Sequence, residues 1–299
     1  MNPLTTVLRP TIPALLAALA LTGCGGGAGR SAIIIQNKGS DTMVNLAQAW
    51  AEAYQTVAPE VEVEVSGGGS GVGVAALVRG TVDIANVSRD LKPDELEQAR
   101  RNTGKTPSEI TVGYDGLAIF VHKDNPLEEI TFEQLAAIYG EGGATTRWSQ
   151  LGVQVPGCAS DEIIRISRQS SSGTYEFFRE HVLGQKDFKL GSRDMNGSKE
   201  VVELVGNTPC AIGYSGMGYA TAQVKMLKVR AAAGQPAAAP TLANTLSKQY
   251  PIARSLHLYT LGEPEGEVKR YTDWILSAAG QKVVEASGYV PVRGAGASP

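Results

Sequence analysis

The sequence predicts an α/β protein of two domains around a ligand cleft. Three observations carry this: strands alternate with helices along most of the chain, a long extended run over residues 110–121 is able to pass between domains, and four loops rich in hydroxyls and glycine each leave a strand. With 299 residues, 42% of them hydrophobic and 19% charged, the chain is long enough for two cores and has the composition of a soluble globular protein.

Each element has a local cause. Ile33, Ile34 and Ile35 form an apolar strand, and the turn through Gly39-Ser40-Asp41-Thr42 leads into a helix whose inward stripe is Met43, Leu46, Ala47, Trp50 and Tyr54. Val61, Val63 and Val65 alternate with Glu62 and Glu64, a strand with one wet face. It empties into Ser66-Gly67-Gly68-Gly69-Ser70-Gly71-Val72-Gly73, followed by a helical pattern over 74–79. Residues 81–89 read as a strand holding one acid, Asp83, among apolar neighbours and ending in Ser88-Arg89. A polar helix over 93–101 precedes the long run, whose Gly113 to Gly116 stretch is the first crossing, and Thr131-Phe132-Glu133-Gln134 is a capping box.

Residues 148–157 read as loop, and Ile163, Ile164 and Ile166 as a strand leading to Arg168-Gln169-Ser170-Ser171-Ser172-Gly173-Thr174. The helix that follows places Phe177, Phe178, His181 and Val182 on its apolar stripe. Beyond it come a helix over 199–205, extended runs over 211–215 and 225–229, a proline-alanine loop over 235–239, and an alternating strand over 255–260 that reads as the return crossing. Helices over 268–278 and 281–286 precede ten terminal residues expected to fray. The domain boundaries that result are 33–114 with 259–299 for the first domain and 115–258 for an inserted second one.

The ends and the charge set the compartment. Ile12 to Leu21 is an apolar stretch too short to span a membrane and suited to a signal-peptide core, and Leu21-Thr22-Gly23-Cys24 resembles the lipobox of bacterial lipoproteins. Residues 1–24 are thus expected to be a lipoprotein signal peptide with Cys24 lipidated, and the glycine-rich residues 25–32 a flexible tether; an ordinary signal peptide with an incidental cysteine is the alternative. That places the chain outside the bacterial cytoplasmic membrane or in the periplasm, anchored by lipid. The formal charge of −3 becomes −4 once Arg9 is removed with the leader, which neither attracts nucleic acid nor steers anions at long range. Any anion specificity must be local. In an exported chain Cys158 and Cys210 are expected to form a disulfide, with two free buried thiols as the alternative.

Several readings fall away on spacing. The glycine loop lacks the Gly-Lys-Ser/Thr of a nucleotide P-loop. Gly71 to Ala76 fits a loose dinucleotide fingerprint with Asp90 downstream, but the strand before it alternates with glutamates where a doubly covered strand is continuously apolar. Gly69-Ser70-Gly71 is no nucleophile elbow, because Val72 stands where the closing glycine belongs. An exported hydrolase using Ser172 or Ser70 would need a base from His122, His181 or His257, and no Cys/His cluster points to a metal. No cofactor and no enzymatic activity are expected.

What the loops offer is anion chemistry. The Arg168–Thr174 stretch leaves a strand and opens a helix, so its first amides face outward at the positive end of the helix dipole, beside three hydroxyls, a glycine and a forked guanidinium. The competing reading is a capping serine and a structural salt bridge. Phosphate near neutral pH keeps at least one proton, whereas sulfate has none. A carboxylate only accepts, so Asp83 would accept that proton and present an unpaired like charge to sulfate, a cost of several kcal/mol in a desolvated cleft; a surface acid at a strand end is the alternative.

Taken together, Gly39-Ser40 with Thr42, Ser66 to Gly73, Val82-Asp83-Ile84-Ala85, Ser172-Gly173-Thr174 and Ala211-Ile212-Gly213-Tyr214 resemble the phosphate-binding lipoproteins that serve ABC transporters, of the type II periplasmic-binding-protein fold. The resemblance covers essentially the whole mature chain and rests on the order and spacing of these phrases. It implies that Ser40, Thr42, Ser70 and Asp83 line one wall of the cleft and Arg168, Ser172, Gly173 and Thr174 the other, with Ser88 beside them. Which of Ser40, Asp41 and Thr42 donates by side chain or backbone stays open. It further implies inorganic phosphate as ligand, an ABC permease as partner and a monomer that closes on the anion like a hinged clamp. Another oxyanion such as sulfate, molybdate or a phosphonate, or a role in phosphate sensing, is the alternative.

Overall fold

A computed structural model of the chain describes residues 32–292; the expected leader, tether and lipidated Cys24 lie outside the described residues. The first stretch runs β1 (Ile33–Gly39), α1 (Val44–Gln55), β2 (Val61–Ser66), α2 (Ser70–Val78), β3 (Ile84–Val87), α3 (Pro93–Thr103) and β4 (Pro107–His122). Next come β5 (Glu129–Thr131), α4 (Phe132–Tyr139), β6 (Ile164–Arg168), α5 (Gly173–His181), β7 (Arg193–Met195), α6 (Ser198–Gly206) and β8 (Ala211–Gly216). The chain ends with β9 (Val224–Met226), β10 (Lys228–Arg230), α7 (Leu242–Leu246), β11 (Ala253–Leu261), α8 (Gly266–Leu276) and α9 (Ala278–Ala286).

One mixed sheet organises these elements, in the order β2-β1-β3-β11-β4-β8-β6-β7, with β9 beside β4 and a separate β10-β5 pair. The strand β4 joins its two halves: residues 107–116 pair antiparallel with β11, and from Leu117 onward the same strand pairs with β8. The pairs β1-β2, β1-β3, β6-β8 and β6-β7 are parallel, so the loops after β1, β2, β3 and β6 all leave from carboxyl ends of strands. Ligand crevices of open α/β sheets lie at such ends.

Each half has its own core. In the first, the α1 stripe of Met43, Leu46, Trp50 and Tyr54 packs with Tyr271, Ile275 and Val284 of α8 and α9, while Val74, Leu77, Val87 and Ala99 fill the other face of the sheet. Trp50 buries its ring and donates its indole N–H to Gly280 O at 2.9 Å, so the polar edge carries no desolvation penalty. In the second half Tyr139, Trp148, Phe178 and Tyr214 dominate one face and Phe120, Ile166, Val201 and Val205 the other. A disulfide joins Cys158 to Cys210, their Cα atoms 5.2 Å apart, and the Trp148 indole donates to Cys210 O.

Four expectations are corrected in detail. The helix after the glycine loop begins at Ser70, a turn before Val74, and takes in Gly71 and Gly73, glycines that the helical spacing of apolar residues passes over; at Gly73 a Cβ would strike Lys38 O. The run over 225–229 is two short strands with different partners, β9 on β4 and β10 on β5. The return falls ahead of the 255–260 run: Leu117 N already bonds Ile252 O, and all of β11 from Ala253 lies against β3 and the first part of β4, so residues 253–258 belong with the first half rather than the second. Of the ten terminal residues expected to fray, 290–292 are held, since Val290 pairs with Tyr114 and Val292 N donates to Gln281 Oε1 at 2.8 Å, and the rest lie outside the described residues.

Candidate functional site

The four loops meet. Ser40 follows β1, Ser70 opens α2, and Ser88 follows β3; the Ser40 hydroxyl donates to Ser88 Oγ at 2.9 Å, and Ser70 Oγ lies 3.3 Å from it while accepting the Ser88 N–H. From the other half, Thr174 Oγ1 stands 2.8 Å from Thr42 Oγ1. Gly173 lies so close to Ser70 and Ser88 that a Cβ there would collide with both hydroxyls, which makes glycine a requirement of the contact. Gly69, at φ +100°, meets Ser171 O across the same gap, and Gly71 N donates to that carbonyl at 2.9 Å. Ser40, Thr42, Ser70, Ser88, Arg168, Ser172 and Thr174 are all buried.

The capping and ion-pair geometry weighed for the Arg168–Thr174 stretch is present. The Ser172 hydroxyl accepts from Thr174 N at 3.1 Å and Tyr175 N at 3.4 Å, capping α5. Both of its lone pairs are then occupied and its proton remains to be donated. Arg168 donates to Ser198 Oγ, to Asn196 O and to Asp41 Oδ2 at 3.1 Å, and its Nε–H is buried without a partner among the described residues. Burial pushes the Arg168 guanidinium below its ordinary value, with Asp41 opposing that shift. A buried, unpaired N–H costs about 1–3 kcal/mol, so a ligand oxygen that reaches it gains that much.

Asp83 is not in this cluster. It is exposed at the start of β3, where it accepts the Gln36 N–H at 2.8 Å, beside Lys105, Glu263 and Glu265 on the rim of an open surface groove. Ser88 marks the other end of that strand, and five residues at about 3.3 Å each put roughly 16 Å between them. The apolar neighbours that made Asp83 look buried face the core from the strand proper, whereas Asp83 precedes it. The carboxylate that does meet Arg168 is Asp41, one of the three residues of the first loop whose roles were left open; its Oδ1 also accepts Gly68 N at 2.8 Å. Tyr219 OH donates to Asp41 O, and Tyr289 OH to Thr42 O at 2.6 Å, fixing the loop backbone. Burial pushes the Tyr219 phenol up to about 12, keeping it a donor.

Two residues that the sequence reading passed over complete the site. Arg254 on β11 and Asp115 on β4 stand directly opposite each other in the antiparallel register and form a fully buried ion pair at 2.8 Å. Arg254 Nη2 also lies 3.2 Å from Thr42 Oγ1 and 3.0 Å from Thr174 Oγ1, and Nη1 donates to Ser88 O. Burial raises the Asp115 carboxyl above its ordinary value against the opposing pull of Arg254. Neither residue has a local signature; only the pairing of strands far apart in sequence brings them together.

No histidine joins the cluster. His181 is exposed with its ring stacked on Phe177 rather than buried on the apolar stripe, His257 is bonded to Thr111, and His122 faces Asp124. Neither Ser70 nor Ser172 is hydrogen-bonded to a base, and among the described residues no group of His, Cys, Asp and Glu is arranged to hold a metal. None of the described helices is long and apolar enough to cross a membrane.

The sequence matches the family described as PBP superfamily domain over residues 26–279. The chain belongs to the PBP superfamily. Within it, the chain is 33% identical to the phosphate-binding protein PstS of Pseudomonas aeruginosa over 268 residues, covering 86% of this chain and 83% of that protein. Among solved structures, a phosphate ABC transporter substrate-binding protein with bound phosphate from Clostridium perfringens superposes with a TM-score of 0.76 at 30% identity, covering 87% of this chain and 100% of that one. An ABC-type phosphate transport receptor from Vibrio cholerae gives 0.66 at 28% identity over 86% and 99%. The two-domain α/β fold with its ligand cleft is therefore that of the PBP superfamily's phosphate binders.

Proposed function

We propose that this protein is the extracytoplasmic substrate-binding component of a phosphate ABC importer and holds inorganic phosphate where the four loops meet. The observation that carries the reading is the convergence of Ser40, Thr42, Ser70, Ser88, Arg168, Ser172, Gly173 and Thr174 from separate strand ends into one buried cluster. Hydroxyl protons and the amides of Ser70 and Gly173, the first residues of α2 and α5, replace the anion's hydration, and the buried Arg168 Nε–H supplies a charge-assisted donor. The proton-accepting part first given to Asp83 passes to Asp41, the acid set against Arg168. A sulfate there would meet that carboxylate with no proton to offer.

The two halves act as domains hinged at β4 and at the entry to β11, and closure presents the loaded shape to a membrane permease. Cys24 carries the lipid that keeps the monomeric protein at the membrane, and the chain binds without turning substrate over. Isothermal titration of the mature chain tests the central claim. Micromolar or tighter phosphate binding without sulfate heat is expected, and R168M should abolish it; equal affinity for both anions would overturn the assignment. With a chromogenic phosphate ester no turnover is expected, and steady release of product would make the protein an enzyme.

A further inference from the structure

Besides the bond from Nη1 to Ser88 O, Arg254 is committed twice. Its Nε and Nη2 both point at Asp115 Oδ2, at 3.0 and 2.8 Å, which fixes the plane of the guanidinium. The second Nη2 hydrogen is then shared between the Thr42 and Thr174 hydroxyls, which come from opposite halves and bond each other. Each hydroxyl has one proton and two lone pairs. One proton joins the two threonines, and without Arg254 the pair would keep one proton and three lone pairs for a ligand. With Arg254 two of those lone pairs are taken, so the balance moves from accepting to donating.

We infer that Arg254, oriented by Asp115, is a positioning residue that turns the Thr42–Thr174 pair toward donation and makes the site prefer the phosphate dianion over the monoanion. The inference rests on the phosphate reading above. The dianion carries one proton, which a single acceptor such as Asp41 satisfies, and three bare oxygens that need donors; the monoanion carries a second proton that the pair is poorly able to accept. Arg254 is borne by a strand at the junction of the halves, so the same side chain senses both threonines only when they are together. The groups that face it are Asp115 from β4, Arg168 from β6, Tyr289 beyond α9 and the Phe177 ring of α5 at 5.6 Å. Arg89, Asp90, Lys92, Glu180 and His181 border a cavity of about 390 Å³ that Arg254 also lines.

The test is phosphate titration calorimetry at pH 5.5 and pH 8, on either side of the second phosphate ionisation at about pH 6 to 7. The wild-type chain should bind more tightly at pH 8. R254K keeps the charge but loses the planar fork, and its affinity should fall about 10-fold or more at pH 8 and by less than about 3-fold at pH 5.5, the loss of one oriented charge-assisted bond being of that order. D115N, which keeps an acceptor oxygen for Arg254, should show the same pH-selective loss at smaller size and covers the case in which R254K does not fold. H181Q, which removes the imidazole bordering the cavity that Arg254 lines, should leave the pH dependence as in the wild type. R254K binding like the wild type at both pH values, or losing equally at both, overturns the positioning role while the phosphate reading stands. A wild-type chain that binds no phosphate at either pH overturns both.

Discussion

At the scale of single residues, position relative to the strand ends decides function. Gly173 is the most exacting: a methyl group there would strike the Ser70 and Ser88 hydroxyls, so G173A should hold the halves apart and weaken phosphate binding by at least about 10-fold, read by titration, with the unfolding midpoint of the phosphate-free chain little changed. D83N, at the far end of β3, should leave both phosphate affinity and sulfate rejection untouched, whereas D41N should weaken the rejection. Asp115 gives a pH test. Its carboxyl is raised in the folded chain because burial outweighs Arg254, so the stability linked to it is full below the unfolded value of about 3.9 and is lost as pH rises through the folded value. Asn mimics the protonated acid. The midpoint of D115N relative to wild type, followed by thermal unfolding in phosphate-free buffer, should therefore rise between pH 4 and 7, and an unchanged difference would show that Arg254 fully compensates the burial.

At the scale of elements, local patterns were legible and long-range pairings were not. The α1 stripe, the alternating β2, the Thr131–Gln134 capping box and the Arg168–Thr174 loop all announce themselves within a dozen residues, because periodicity and capping are local. The Arg254–Asp115 pair depends on the register of β11 against β4, set by side chains 139 residues apart, and Asp83 misled because burial was inferred from neighbours that belong to the strand it only precedes. Two predictions belong here. Lys92, at the start of α3, reaches Glu176 on α5 at 2.6 Å across the halves. Because the pair is partly exposed, K92A should weaken phosphate binding by no more than about 5-fold at low salt, and the difference should vanish near 1 M salt. The disulfide closes a loop of 52 residues, for which chain entropy gives about 4 kcal/mol at most, so the C158S/C210S double variant should unfold at markedly lower denaturant while still binding phosphate when folded.

At the scale of the whole molecule, the two halves are joined by β4 and the chain entering β11 and meet again through the site loops, Lys92–Glu176, the Tyr219 bond to Asp41 O and the close approach of Gly218 to Ser287, Gly288 and Tyr289. The Gly71 N–H to Ser171 O bond and the Ser171 Oγ–H to Gly68 O bond cross that seam. An opening about the crossings breaks them without touching the β1-β2 ladder, which lies within one half. In phosphate-free solution the Gly71 amide should therefore exchange with solvent faster than the ladder amides of β1 and β2. Phosphate at about 100 times its Kd adds about 2.7 kcal/mol to the closed form and should slow Gly71 exchange by about 100-fold. Exchange measured by NMR decides the matter: a Gly71 amide as protected as the ladder before phosphate is added, and unmoved afterwards, would mean that the halves form one rigid body and that phosphate enters by some route other than domain opening.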